Sequence, residues 1–281
     1  MQMAARTVII TGAAGAIGAT VSRAVAETGA NVVLIDRDEA GLARVAAALA
    51  ADDRPHLALA GDACDLPALR ALVDRATDRF GAPDGLVAMI GGVEAAEFGP
   101  FLGFGSRTYD DIVDRNLRSA VVTFEAVAGA MVDAGRPGSL VGISAATAFA
   151  AAPYHALYGA AKAAVMSLAR TLALELGPLG IRVNTVAPGA VETRPALDPE
   201  EIARQERAVI PLGRRVQPVE IASAALFLLS DLSSAMTGQT LVLDGGALAK
   251  PGFLDADNVP VFVTDQALRD RMRASAPRPS R

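Results

Sequence analysis

The stretch that decides the fold is T-G-A-A-G-A-I-G, residues 11–18, which directly follows the apolar run T-V-I-I at residues 7–10. Glycines at a first strand-to-helix turn let the backbone approach a ligand closely, and the amides at the start of the next helix attract a pyrophosphate. A tight turn is the plain alternative. The position between an apolar run and a helical segment favours a phosphate-binding turn.

Short apolar and β-branched runs recur along the whole chain, separated by longer segments rich in alanine, leucine and arginine. The predicted strands are residues 7–10, 31–35, 56–60, 85–90, 139–143, 182–187 and 240–243. The predicted helices include residues 16–28, 40–51, 66–80 and 156–176. Strict alternation of strand and helix predicts right-handed crossovers and an α/β, doubly wound parallel sheet (a Rossmann fold) with helices on both faces. Its sheet has about seven strands.

The composition of the chain changes after residue 250, which suggests a long domain followed by a short extension. Its 281 residues suffice for one α/β domain, which we expect over residues 1–250. Prolines interrupt the sequence after Lys250. We therefore expect residues 251–281 to form a C-terminal extension that is partly disordered or packs at a subunit interface.

Composition argues against several classes of function. No apolar run reaches the roughly 18 residues of a membrane span, and no signal peptide is evident, so we expect no membrane association and no export. The net charge of −5 argues against a nucleic-acid partner. Cys64 is the only cysteine and there are two histidines, so we expect no internal disulfide and no metal site. These features favour a cytoplasmic location.

An acidic residue, Asp36, ends the second predicted strand. At that place a carboxylate can accept hydrogen bonds from the ribose hydroxyls of an adenosine. The same charge would repel a 2′-phosphate, which favours NAD as cofactor over NADP. Arg37 could instead pair with that phosphate, but we interpret it as a solvated surface charge.

The motif Y-G-A-A-K places Tyr158 and Lys162 four residues apart, on one face of a helix. Tyrosine titrates near ~10, so acid-base work near neutral pH requires its pKa to fall by about three, or about 4 kcal/mol. An exposed ion pair supplies only ~0–1 kcal/mol. The pair therefore needs a partly desolvated site and a positively charged nicotinamide ring, which a dinucleotide-binding fold offers at the carboxyl ends of its strands.

The order of these motifs resembles the short-chain dehydrogenases/reductases with a single nucleotide-binding domain. After the glycine turn and Asp36 come R-N-L-R-S with Asn116, G-I-S-A-A with Ser144, Y-G-A-A-K, N-T-V-A-P-G-A-V-E-T and T-G-Q-T-L-V-L-D-G-G. The match covers residues 7–246. The lack of a large C-terminal domain argues against the longer sugar-nucleotide epimerases, which are the alternative enzyme class.

The resemblance implies reversible hydride transfer between a secondary alcohol and a ketone. Tyr158 would donate or accept the hydroxyl proton, and Lys162 would bind the nicotinamide ribose and lower the pKa of the tyrosine. Ser144 would hydrogen-bond the substrate oxygen, and Asn116 would hold a water of the proton relay. The partners would be a small-molecule alcohol or ketone and three further copies of the chain, a homotetramer.

The cofactor contacts implied by the resemblance fall at the pyrophosphate, the adenosine and the nicotinamide. They are Gly12, Ala14, Gly15, Ala16, Ile17, Gly18, Asp36, Arg37, Asp62, Ala63, Gly91, Asn116, Tyr158, Lys162, Pro188, Gly189, Val191 and Thr193. Asp62 would approach the adenine, although a helix N-cap ahead of Leu66 is an alternative role.

Two departures from the family pattern stand out. The family usually has N-N-A-G after the fourth strand, whereas this chain has A-M-I-G at residues 88–91. Ser144 precedes Tyr158 by fourteen residues instead of thirteen, the position that Ala145 occupies. Either the loop absorbs one residue, or Thr147 or a backbone amide holds the substrate. A nucleotide-binding scaffold or sensor without catalysis is thus a second alternative, which retention of the tyrosine and lysine disfavours.

The substrate pocket would be bordered by residues 94–107 and 194–211 in this family. Phe98, Phe101 and Phe104 suggest an apolar substrate or ordinary packing. Tyr154 and His155 would line the pocket or lie in a plain loop. The tail around residues 259–263 would cover the pocket of a neighbouring subunit or pack on its own domain.

Overall fold

The computed structural model describes residues 3–94, 97, 99–103, 105–193, 200, 204, 206, 208–250, 265–267 and 270–271. The chain forms two compact units. The first comprises Met1–Thr193 and Val216–Leu243, and the second comprises Arg194–Arg215 and Asp244–Arg281. Phe98, Phe104 and residues 194–199 and 259–263 lie outside the described residues, so the predictions made for them stay predictions.

The first unit contains a sheet of seven parallel strands in the order β3-β2-β1-β4-β5-β6-β7. The strands are β1 (Thr7–Thr11), β2 (Asn31–Asp36), β3 (His56–Ala60), β4 (Gly85–Ala88), β5 (Gly138–Ile143), β6 (Ile181–Pro188) and β7 (Thr240–Leu243). The doubly wound α/β fold predicted from the alternating pattern is confirmed.

In the part of this unit that the structure describes, seven helices connect and cover the strands. They are α1 (Ala16–Glu27), α2 (Glu39–Ala51), α3 (Leu66–Phe80), α4 (Gly105–Val113), α5 (Ser119–Asp133), α6 (Ala156–Leu176) and α7 (Pro218–Leu229). One π-helical turn, Asp114–Arg118, joins α4 to α5. None of the helices in the described part of the chain combines the length and apolarity that a membrane span requires.

Alternate residues of the strands pack on opposite faces of the sheet. In β1, Val8 and Ile10 join the layer that includes Val21, from α1. Ile9 faces the other layer, which includes Phe124, from α5. Each such side chain stabilises the fold by about 1.5–3 kcal/mol when buried. Two apolar layers around one sheet explain why the strands read as continuous hydrophobic runs.

Strand order reverses between β1 and β4, because the chain winds outward to β3 and then returns to β4 beside β1. In sheets of this kind the crevice beyond the carboxyl ends of two such strands is the usual ligand site. The prediction that β4 extends to residue 90 was wrong, since the strand ends at Ala88. Its partner β1 ends opposite, at Thr11, where the glycine turn leaves the sheet.

In the second unit, polar contacts between described residues join its two chain segments. The amide of Leu212 donates to the carbonyl oxygen of Gly245 at 3.0 Å. Lys250 Nζ donates to the carbonyl oxygen of Ala208 at 2.6 Å. Within the first of these segments, Arg215 forms an ion pair with Glu206. This unit is therefore built from segments far apart in the sequence.

Candidate active site

The glycine turn brings the backbone against the segment that follows β4. Gly12 has a φ of +74°, and a Cβ at this residue would lie 3.0 Å from the amide nitrogen of Ile90. A Cβ at Gly18 would collide with the carbonyl oxygen of Gly12. Helix α1 starts after Gly15 with no side-chain cap from the described residues. The first amides of a helix lack intrahelical acceptors, so this turn can serve as an anion cradle.

Asp36 connects the glycine turn to the end of β2. Its Oδ2 accepts a hydrogen bond from the amide of Ala14 at 2.9 Å, and its Oδ1 accepts one from the amide of Asp38 at 3.0 Å. Two amide donors fix the plane of the carboxylate. The side chain therefore stabilises the turn as well as presenting negative charge beside it.

A cavity of about 410 Å³ lies over the switch point between β1 and β4. Of the residues predicted to bind cofactor, it is lined by Gly12, Gly15, Asp36, Arg37, Asp62, Ala63 and Gly91. These residues come from four different strand ends or loops. The fold thus brings together residues that the sequence separates by up to about 80 positions.

The end of β3 settles the alternative for Asp62. The N-cap of α3 is Asp65, whose side chain accepts a hydrogen bond from the amide of Ala68 at 3.1 Å. Asp62 instead accepts one from the amide of Cys64 at 2.9 Å and faces the cavity. The N-cap alternative for Asp62 is therefore wrong. Burial and the Asp62 and Asp114 carboxylates raise the pKa of Cys64 to about 11, so its thiol stays protonated.

Lys162 is buried at the end of β5, with 2% of its surface exposed. Its ammonium donates to the carbonyl oxygen of Ile143 at 3.0 Å and lies 5.9 Å from the centre of the Tyr158 ring. Burial lowers the pKa of Lys162 to about 8, because desolvation disfavours the charged form. The lysine is thus the partly desolvated cation that the Y-G-A-A-K motif predicts.

Tyr158 stands one helical turn before this lysine on α6. Burial raises the pKa of Tyr158 to about 12, the direction opposite to the one that acid-base work requires. Desolvation disfavours the phenolate just as it disfavours the ammonium. Lowering the pKa of the tyrosine thus depends on positive charge that overcomes this burial.

Asn116 lies in the π-helical turn between α4 and α5, a type of distortion frequent at functional sites. Its Nδ2 donates to the carbonyl oxygens of Gly92 and Ile112, and its Oδ1 accepts from the amide of Gly92 at 2.8 Å. A Cβ at Gly91 would lie 2.9 Å from Asn116 Oδ1 and would collide with Lys162 Nζ. The asparagine side chain thereby holds the loop after β4 against the lysine.

Ser144 follows β5 and is 2% exposed. Its hydroxyl donates to the carbonyl oxygen of Lys162 at 2.9 Å, and its amide donates to the carbonyl oxygen of Val186 at 2.7 Å. Ala145, the next residue, is also buried. The hydroxyl of Ser144 is therefore bonded to helix α6.

The departure at residues 88–91 has a visible consequence in the sheet. Thr11 is paired with Ala88 across β1 and β4. The Thr11 hydroxyl is buried and has no hydrogen-bond partner in the described part of the chain. An alanine at residue 88 offers no side-chain acceptor there, whereas the family usually has an asparagine.

The segment after β6 carries the residues predicted to contact the nicotinamide. The amide of Gly189 donates to the carbonyl oxygen of Leu243 at 2.8 Å, and Val191 forms a bridge with Val216. The amide of Thr193 donates to the carbonyl oxygen of Val191 at 3.1 Å. Pro188 ends β6, so this segment leaves the sheet at the same edge as the glycine turn.

Loop residues considered for the substrate pocket are largely solvent-facing. Phe101 is 67% exposed, and Tyr154 has a φ of +65° with its ring mostly exposed. The carbonyl oxygen of Tyr154 accepts from the amide of Gly99 at 3.4 Å. This contact joins the loop after β4 to the loop before α6.

Sequence reasoning missed the ion pair between Arg115 and Glu97. Nη1 and Nη2 of Arg115 each donate to a Glu97 carboxylate oxygen at 2.7 Å. The guanidinium lowers the pKa of Glu97, and Arg115 also lines the cavity. The only sequence signal was the position of Arg115 beside Asn116. The pair fastens the loop after β4 from the other side.

Comparison with known proteins gives a consistent result. The family model described as enoyl-(acyl carrier protein) reductase matches residues 12–247. L-Rhamnose 1-dehydrogenase (NAD(P)(+)) of Azotobacter vinelandii is 35% identical over 253 residues, covering 88% of this chain and 98% of that protein. D-Threitol dehydrogenase of Mycolicibacterium smegmatis is 33% identical, covering 87% and 94%. The structure of a gluconate 5-dehydrogenase from Burkholderia cenocepacia in complex with NADP and tartrate has a TM-score of 0.82 at 31% identity, covering 88% and 97%.

The parallel sheet, the glycine turn and the pairing of Tyr158 with the buried Lys162 define a nucleotide-binding oxidoreductase fold. The chain belongs to the short-chain dehydrogenase/reductase family, in its single-domain form. It is an oxidoreductase of the class that acts on CH–OH groups with NAD or NADP.

Proposed function

We propose that this enzyme transfers a hydride between NAD and a secondary alcohol or its ketone, with Tyr158 as general acid and base. The observation that carries the proposal is the pair of Tyr158 and the buried Lys162 on α6, at the carboxyl end of β5. In oxidation, the Tyr158 oxygen takes the hydroxyl proton of the substrate. In reduction, the same oxygen returns the proton to the ketone oxygen.

Lys162 supports this chemistry through its charge. A cation close to the ring favours the phenolate form of Tyr158 and so opposes the effect of burial. The lysine is held by the Ile143 carbonyl, which leaves other ammonium protons to donate. In the proposed role they bind the nicotinamide ribose.

The residues fit a dinucleotide. The turn at Gly12 requires glycines, because a Cβ at Gly12 or Gly18 would meet backbone atoms. The carboxylate of Asp36 lines the adjoining cavity. Gly12, Ala14, Gly15, Ala16, Ile17 and Gly18 would hold the pyrophosphate. Gly91, Pro188, Gly189, Val191 and Thr193 would hold the nicotinamide end. NAD supplies the hydride acceptor when bound.

The carboxylate of Asp36 supports NAD over NADP. A 2′-phosphate at the adenosine ribose would bring negative charge next to this carboxylate. Arg37 lines the same cavity, and its positive charge favours the phosphate. The Asp36 carboxylate is held in place by hydrogen bonds from two backbone amides, so we take its repulsion of the phosphate as the larger effect.

We infer a small polyhydroxylated alcohol as the substrate class. Two relatives at 33–35% identity are named for the oxidation of rhamnose and of threitol, and a similar structure is a gluconate dehydrogenase. A hydroxysteroid dehydrogenase of Eggerthella lenta is 34% identical, so hydroxysteroids form the alternative class. We further propose a homotetramer and, from the single cysteine, a cytoplasmic location.

The test is a screen of NAD and NADP reduction over sugars, four- to six-carbon polyols, simple secondary alcohols and hydroxysteroids. We expect turnover with a polyol or sugar and NAD, and a loss of about 10³-fold or more in Tyr158→Phe. Tyr109→Phe is the matched control, because Tyr109 is exposed on α4. Absence of turnover with every alcohol and both cofactors would contradict the proposal.

A further inference from the structure

We propose that the hydroxyl of Thr147 holds the substrate oxygen, in the role that the family pattern gives to a serine. The inference rests on the proposed function and names a further residue of the same site. It follows from which of the three residues near that position, Ser144, Ala145 and Thr147, has a hydroxyl that is free to donate.

Ser144 is committed to another bond. Its buried hydroxyl donates to the carbonyl oxygen of Lys162, while Lys162 Nζ donates to the carbonyl oxygen of Ile143. These reciprocal bonds tie the end of β5 to α6. Ser144 is thus a positioning residue for Lys162, and turning its hydroxyl toward a substrate would break one of the two bonds.

Ala145 stands thirteen residues before Tyr158, where the family has its serine, and it brings no hydroxyl. A substrate oxygen on which charge develops needs a donor at this place, because such a bond strengthens as the reaction proceeds. The donor must come from a neighbouring residue.

Thr147 lies in the short 3₁₀ turn Ala146–Ala148, against the start of α6. A Cβ on Gly159, the residue after Tyr158, would lie 2.9 Å from the carbonyl oxygen of Thr147 and 4.0 Å from its Cβ. The Oγ1 atom of Thr147 is buried and has no hydrogen-bond partner in the described part of the chain. Three other described threonines share that property, at residues 11, 77 and 123, but all lie outside the segment between β5 and α6.

The unpartnered hydroxyl can turn at no loss of protein hydrogen bonds. Threonine has three staggered χ1 positions, so one step of ~120° moves Oγ1 to the place of a neighbouring substituent. Thr147 is only half-buried as a residue, so part of it already meets solvent. A buried hydroxyl without a partner gains a bond when a ligand oxygen arrives. Ser144 would have to lose a bond for the same result.

The experiment measures single-turnover hydride transfer, by NADH absorbance, with the substrate found in the screen. Thr147→Val keeps the shape and removes the hydroxyl, and it should slow transfer by about 10²-fold with unchanged NAD affinity. Thr147→Ser should stay within about threefold of wild type, because it keeps the donor. Adding Ala145→Ser to Thr147→Val should restore most of the rate. Thr171→Val, an exposed threonine on α6, is the matched control and should transfer at the wild-type rate.

A wild-type transfer rate in Thr147→Val would overturn the inference. So would a loss that Ala145→Ser does not restore, or one accompanied by a lower melting temperature and weaker NAD binding, because Thr147 would then act in packing alone. Failure of the proposed function itself is distinguishable, since the wild-type enzyme would then transfer no hydride.

Discussion

Lys162 is, in the described part of the chain, the one charged side chain that lies fully inside the protein. Burial of an ammonium is costly unless it is hydrogen-bonded, and here the structure supplies a backbone carbonyl at 3.0 Å. Burial lowers the pKa of Lys162 to about 8 and raises that of Tyr158 to about 12, because desolvation acts against the charged form of each group. Burying Lys162 therefore lowers the stability of the fold, and the proposed role of the lysine beside Tyr158 explains why the residue is there.

The pH dependence of stability should reveal this lysine. Between a pH of about 8 and its ordinary pKa of 10.5, the unfolded chain binds a proton that the folded enzyme releases, so stability rises with pH in that window. The interval corresponds to about 3 kcal/mol. Lys162→Met should remove this rise, as measured by chemical denaturation across the window. Lys250→Met, at the only other lysine, is the control, and parallel curves for wild type and Lys162→Met would contradict the prediction.

Substitution of Asp36 should change cofactor preference by two separable effects. Asp36→Asn removes the charge but keeps an oxygen that can accept from the Ala14 amide, whereas Asp36→Ala removes both. We expect Asn to raise kcat/KM for NADP relative to NAD, and Ala to lower kcat/KM for NAD by a further ~10-fold through the loosened turn. Steady-state kinetics with both cofactors measures this. A wild-type enzyme that prefers NADP would rule out the assignment.

Loops after strand ends, more than the strands themselves, shape this site. The loop after β4 is held by the Asn116 side chain on one side and by the Arg115–Glu97 ion pair on the other. The strands and helices could be predicted from the spacing of hydrophobic residues along the sequence, because that spacing reflects which face of each element is buried. The end of β4 could not, because it depends on where the partner strand β1 leaves the sheet.

Adding a methyl group at Gly91, in the loop after β4, should lower both activity and stability. Because a Cβ would collide with Lys162 Nζ, Gly91→Ala must displace the ammonium from the Ile143 carbonyl. We expect at least a ~10-fold fall in kcat/KM and a destabilisation of about 1–3 kcal/mol. Gly177→Ala, directly after α6 with a helical backbone and no atom near the added Cβ, is the control and should be neutral or stabilising. Equal activity of both variants would refute the proposed contact.

The first unit of the molecule exposes apolar side chains on the helices that cover one face of its sheet. Val121 and Val132 lie on α5, and Leu174 on α6 is 81% exposed. Exposed apolar residues grouped on neighbouring helices are typical of protein interfaces. They support the proposed homotetramer, together with the many alanines of α6 that allow a partner helix to approach closely.

Charge on this surface should disrupt assembly. Val121→Glu combined with Leu174→Glu would bury unpaired carboxylates in the proposed interface, so the tetramer should dissociate into smaller species. Light scattering after size exclusion measures the mass. Leu102→Glu, on the exposed loop after β4, is the control and should leave the mass unchanged. A wild-type monomer at working concentration would contradict the proposal.

The sequence by itself determined the alternation of strands and helices, the glycine turn, and the order of the motifs that indicate the family. These features are local, because hydrophobic period and turn chemistry act over a few residues. Only the tertiary structure decided where the Ser144 hydroxyl points, which groups hold Asn116, and that the Thr147 hydroxyl has no partner among the described residues. Hydrogen-bond partners and desolvation come from segments distant in the chain, so the pKa values of Tyr158 and Lys162 follow from packing that no local pattern encodes.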